Sequence, residues 1–124
     1  MPVIHAADAV VHEMHGTTFR SYAAPSRGSE QLCTWRVEIP AGSTGVPHTV
    51  TREQVLCLVT GAARVTLGDE TRDVAAGDVI VVTVGPKFCL ETTAESGATA
   101  WVTTSVGLQA ELPDGSTITP PWTI

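Results

Sequence analysis

GSTGVPHTVTREQVLCLVTG, residues 42–61, and GDVIVVTVGPKFCLET, residues 77–92, are two β segments fenced by glycine. In the first, a glycine-rich loop after Pro40 delivers His48 to a strand that starts polar at Gln54, runs apolar to Val59 and turns at Gly61. In the second, VIVVTV is followed by a Gly85-Pro86 corner and by KFCLETT. Glycine reaches positive φ without a steric penalty and proline has no N–H to give a ladder, so both residues punctuate strands.

The same rhythm extends outward in both directions. After Gly61, ARVTLG runs to Gly68-Asp69, a two-residue hairpin signal; ETRDV returns and AAGD turns again. Upstream, LCTWRVEI (Leu32–Ile39) places Cys33, Trp35, Val37 and Ile39 on one face and Thr34, Arg36 and Glu38 on the other, and the apolar face is predicted to be the inner one. TFRSYAA (Thr18–Ala24) has strand character, and PSRGSE after it is a loop. Residues 1–16 are expected to form an arm or a short helix, with Val10, Val11, Met14 and His15 on one side and Gly16 at its end; a strand is the other alternative. Downstream, Ser96-Gly97 turns into TAWVTTSVG. Residues 113–124 are expected to be a tail packed across the outside of the barrel, since Pro120 and Pro121 cannot sit in a central strand, with Trp122 as its anchor. Closely spaced turns and no long amphipathic helix predict one all-β domain, a sandwich or barrel, over residues 17–112.

Composition narrows the function. At 124 residues the chain suits one core. With 43% hydrophobic residues and a mean hydropathy of +0.16 it can fill that core, which argues against disorder. A formal charge of −6 and no run of Lys or Arg argue against nucleic acid and anionic membranes as partners. Cys33, Cys57 and Cys89 are odd in number, far apart and form no C-x-x-C, so neither a disulfide framework nor a zinc knuckle is indicated, and a reducing compartment fits them. The start shows no basic region followed by an apolar block, and no apolar run is long enough to span a bilayer; a cytoplasmic location is expected.

The two opening stretches resemble the two motifs of the cupin superfamily. The first motif, a glycine, five residues, His-x-His, three or four residues, Glu, six residues and Gly, falls on Gly42, His48, Val50, Gln54 and Gly61. The second, a glycine, five residues, Pro-x-Gly, two residues, His, three residues and Asn, falls on Gly77, Thr83, Gly85, Phe88 and Thr92. The glycines and the first histidine are in register. The resemblance implies a small antiparallel jelly-roll β-barrel of one domain and, as members of this family often pair, a homodimer, helped by outward residues such as Val79, Val81 and Thr83.

The family's metal-ligand positions are occupied here by His48, Val50, Gln54 and Phe88. Valine and phenylalanine have no lone pair to give, and Gln54 offers only a neutral amide oxygen, so no metal cofactor is expected there. A relocated site would have to draw on His5, His12, His15 or Cys89. Alternation from the motif positions turns Trp35, Val50, Gln54, Leu56, Leu58, Phe88 and Leu90 inward, with Tyr22 and Arg20 as possible neighbours. That makes an apolar, aromatic-walled cup for a hydrophobic small molecule. Within it His48 is the candidate general acid or base and Gln54 the hydrogen-bond donor to a carbonyl or enolate oxygen, which serves isomerisation, cyclisation, dehydration or elimination without a cofactor. Two further readings stay open: a non-catalytic binding or sensing barrel, in which His48 is held by internal hydrogen bonds, and a metal-dependent enzyme with a relocated site.

Overall fold

In the computed structural model, which describes residues 1–124, the alternation of LCTWRVEI becomes strand β3 (Leu32–Ile39), buried at every second residue. Its inner residues form rows with the neighbouring strands. Trp35 stands opposite Val102 on β9 (Ala98–Ser105), and Val102 opposite Leu56 on β5 (Gln54–Leu67). Each such fully buried apolar side chain contributes roughly 1.5–3 kcal/mol, and the rows merge into one core that also takes in Val50, Leu58, Val82, Phe88 and Leu108.

The large sheet runs β1 (Val10–Met14), β2 (Thr17–Ala23), β3, β9 and then the first half of β5, which β7 (Val79–Val82) flanks on its other side. Strand β5 is the element that makes two layers out of one sheet. Residues up to Gly61 pair with β9, and from Ala62 onward the strand pairs instead with β6 (Glu70–Ala75), then with β8 (Phe88–Glu91). The switch falls at Gly61, whose φ is +78° and where an added Cβ would lie 1.9 Å from the Gly97 carbonyl oxygen. Only glycine fits a corner in which two strands meet backbone to backbone.

A third group, β4 (Thr49–Val50), β10 (Ala110–Glu111) and β11 (Thr117–Ile118), extends the second layer. It is joined to β8 by a bridge in which His48 N–H donates to the Phe88 carbonyl at 3.0 Å and Phe88 N–H donates to the His48 carbonyl at 2.7 Å. The result is an antiparallel, two-layered all-β jelly-roll barrel. No helix is long and apolar enough to cross a membrane.

Two expectations are corrected. Residues 1–16 are neither arm nor short helix: after a 3-10 turn at Ala6–Asp8 they form edge strand β1, joined to β2 by the two-residue turn His15-Gly16. Both turn residues have positive φ, 51° and 77°, the geometry whose twist suits a hairpin, and pairing along all of β1 satisfies a backbone that one short helix would leave half open. The tail, most of it exposed, keeps Trp122 as its anchor, but it is not confined to the outside. β11 adds a strand beyond residue 112, and a 3-10 turn at Pro121–Thr123 drives Trp122 inward, stacked on Phe19 at 3.7 Å between ring centroids. Ser21 Oγ donates to the Trp122 carbonyl at 2.8 Å and Cys33 Sγ to that of Thr123 at 3.3 Å. The prolines do stay out of any central strand, but an indole is too large an apolar group to leave in water when a gap between layers can take it.

Replacing Gly61 by Ala should therefore lower stability by about 3 kcal/mol or more. Urea unfolding of Gly61→Ala beside wild type checks this; an unchanged midpoint would mean that the corner relaxes freely.

Candidate active site

The layers enclose, open at one end, a cavity of about 600 Å³. Its inner wall comes from the alternating residues of the large sheet, among them Trp35, Val37 and Leu56, and the opposite wall from Phe88 and Leu90. The tail supplies a third side through Leu112, Ile118 and Trp122, and the loop Pro40–Val46 forms the rim.

His48 is held at three points. Its backbone is fixed by the reciprocal bonds to Phe88, and its ring stands edge-on to the Phe88 ring with centroids 5.5 Å apart. The Nδ1 atom lies 2.8 Å from the Val46 carbonyl oxygen. A carbonyl can only accept, so the neutral imidazole carries its proton on Nδ1 and its lone pair on Nε2. Gln54, in the row Thr104–Gln54–Val82, is 7% exposed, and its amide lines the cavity without a protein hydrogen-bond partner. The Trp122 indole N–H is buried and unpartnered as well. A sealed, unpaired N–H such as that of Trp122 costs about 1–3 kcal/mol, whereas the Gln54 amide is not sealed off and can meet an oxygen of an incoming molecule.

The rim loop is fastened from below. Thr92 Oγ1 donates to the Pro40 carbonyl at 2.6 Å and accepts from Ser43 N–H at 2.9 Å, while Thr92 N–H donates to the Ser43 carbonyl at 2.9 Å. Gly45, with φ +71°, lets the loop lie against β8, since a Cβ there would come within 2.5 Å of the Leu90 carbonyl oxygen. These contacts set the height at which the chain enters His48.

The cavity contains His48, Gln54, Trp35, Leu56, Phe88 and Leu90 of the residues expected in it. Val50 and Leu58 are buried in the core, 3% exposed each, but do not line it. Tyr22 is a correction: Phe19 and Ser21 take the inner side of β2, so Tyr22 faces out, its ring 4.8 Å from that of Trp101. Arg20 shares that outer face and pairs with Glu38 at 2.6 Å, an ion pair that raises the guanidinium pKa through the hydrogen bond and charge of the carboxylate. Sequence reasoning missed Met14, His15, Phe19, Ile118 and Trp122. Only the β1–β2 register and the path of the tail bring them in; an isolated Trp beside a double proline was the one signal in the sequence.

The donor set does not fit the metal that the fold family commonly carries, because hydrocarbon side chains at Val50 and Phe88 stand where ligands are needed. No three His, Cys, Asp or Glu side chains converge elsewhere, so His5, His12, His15 and Cys89 do not rebuild a site together. Burial pushes the Cys33 and Cys89 thiols up, Cys89 also through the nearby Glu91 charge, which keeps both protonated and poor as nucleophiles.

No protein-family model matches the chain, and no curated protein matches it in sequence. Solved structures do match in fold. The polyketide cyclase RemF from Streptomyces resistomycificus superposes with a TM-score of 0.76 at 19% identity, over 85% of this chain and 79% of that one. An RmlC-like cupin from Shewanella frigidimarina gives 0.67 at 17% identity over 82% and 86%. An oxalate decarboxylase from Bacillus subtilis gives 0.74 at 20% identity, over 96% of this chain and 33% of that one.

Thr92→Val should remove the two bonds of the hydroxyl, lower stability by about 1–2 kcal/mol and speed hydrogen exchange at the Gly42 and Ser43 amides. Unchanged exchange at those amides would mean that the loop is held by other contacts.

Proposed function

Starting from a chain with the fold of a small cupin domain, we propose that its cavity binds a flat, largely apolar molecule bearing carbonyl or hydroxyl oxygens and moves a proton on it. The observation that carries this reading is a fixed imidazole with its lone pair on Nε2 that lines the same largely apolar cavity as the Gln54 amide. No Asp, Glu, Lys or Arg lines that cavity, so it suits an uncharged or weakly acidic ligand, and its walls of Phe19, Trp35, Phe88 and Trp122 suit a ring system.

Chemically, Nε2 of His48 takes a proton from a carbon next to a carbonyl. The electron pair moves onto the carbonyl oxygen, and the Gln54 NH₂ donates to the enolate that forms. A donor in a dry cavity acts more strongly than in water. Such a step underlies ring closure, isomerisation and dehydration, and the similarity in fold to RemF, a polyketide cyclase, is in keeping with it. The reaction as written needs no cofactor. Binding without turnover is the second reading, favoured by the internal hydrogen bond that holds Nδ1 on the Val46 carbonyl.

The same reading includes a second copy as partner. Val59, Val79 and Val81 are exposed at 41%, 55% and 50% on the outer face of the large sheet, next to exposed Cys57, and an uncharged patch of this kind suits pairing with itself about a two-fold axis. An exposed free thiol also suits a reducing, cytoplasmic setting.

The test uses 2-tetralone, a flat ketone with acidic C–H bonds, in heavy water. The protein should speed deuterium incorporation beside the carbonyl, and His48→Gln should lose about a hundredfold or more of that rate. Binding of 2-tetralone, read by tryptophan fluorescence, without any gain in exchange would favour the binder. For the pair, light scattering should give twice the 13.0 kDa of one chain, and Val81→Glu should halve it; a wild-type monomer sinks the pairing.

A further inference from the structure

The cavity has a second imidazole. His15 sits at the tip of the β1–β2 hairpin and lines the same cavity as His48. The register that sets Thr18 opposite Glu38 carries this tip past the end of β3, so it stands beside Pro40 and the rim loop. There the side chain is exposed to solvent on one side and to the cavity on the other.

His15 is also the one non-glycine residue of the chain with positive φ, at 51°. Asn or Gly would occupy the first position of such a turn with less strain. A backbone penalty kept at a residue that faces a cavity points to use of its side chain. Among the lining residues only His15 and His48 titrate. The loop Pro40–Val46 carries no ionisable side chain, and the nearest carboxylates, Glu13 and Glu38, belong to the outer face, Glu38 bound to Arg20.

We propose that His15 is the second acid–base group of this site: from the rim it holds a hydroxyl at the outer end of the bound molecule and protonates it as it leaves. The inference rests on the proton-transfer reading of His48. In a dehydration, His48 Nε2 takes the C–H proton next to a carbonyl. The electron pair forms a C=C bond as the C–O bond breaks, and the oxygen departs with the His15 proton as water. One imidazole gains a proton and the other loses one, solvent at the exposed rim restores both, and no oxidant or reductant is consumed. Of the two roles, His48 must start neutral and His15 charged.

The probe is 4-hydroxy-2-tetralone, which loses water to give fluorescent 2-naphthol. The wild-type protein should speed this loss above buffer, with a rate that falls at high pH as His15 gives up its proton. His15→Asn tolerates the left-handed backbone and does not titrate; it should lower the dehydration rate about a hundredfold and erase the high-pH fall. Its effect on deuterium exchange at 2-tetralone, which has no leaving oxygen, should be about tenfold smaller or less. His15→Gly, which relieves the turn, should behave as His15→Asn if the side chain is what matters. If 2-tetralone exchange is present but dehydration is not accelerated, or His15→Asn leaves it intact with its high-pH fall, this proposal fails alone. Absence of any exchange removes the reading of His48 and this one with it.

Discussion

Two backbone hydrogen bonds between His48 and Phe88, at 3.0 and 2.7 Å, join what would otherwise be separate small sheets. Without them β4, β10 and β11 would have no ladder to β8, and the second layer would not face the first. The same pair sets the imidazole of His48 against the Phe88 ring and positions it for the Val46 carbonyl. Fold closure and site geometry thus rest on one contact. A residue in such a place has little freedom to move, so its ring is preorganised toward the cavity.

Around that contact the barrel interior is mostly hydrocarbon, with no Asp, Glu, Lys or Arg in the cavity lining. The cavity is lined by no carboxylate and by only two imidazoles, His15 and His48, and nothing in it carries a fixed charge. A low-polarity cavity strengthens the few hydrogen bonds it contains and penalises every unpaired one. The Gln54 amide, which lines the cavity without a protein partner, is one such polar group, and the sealed indole N–H of Trp122 is another. The rim is fixed from within, since the Thr92 hydroxyl ties down the loop through Pro40 and Ser43.

Much of this was legible in the chain itself. The alternation over Leu32–Ile39, the turn at Gly68-Asp69 and the glycine spacing from Gly42 to Gly85 identified an all-β barrel, and they did so because side-chain period and positive φ are local properties of the backbone. His48, Gln54 and Phe88 were placed inside for the same reason: once one position on a strand is known to face in, alternation fixes the rest.

What local pattern could not supply was facing across unanchored strands and the destination of the ends. Tyr22 and Phe19 are three apart on one strand, and only the pairing of β2 with β1 and β3 shows that Phe19 turns in and Tyr22 out. The tail carried an indole whose burial depended on a gap that exists only after both layers assemble. His15 reached the cavity through the hairpin register, a long-range result of which sheet edge β1 joins. The sequence by itself determined where strands begin and turn and which chemistry survives at the motif positions, because those depend on neighbours along the chain. The tertiary structure alone decided which distant side chains share a cavity, because that depends on pairing between strands far apart in sequence.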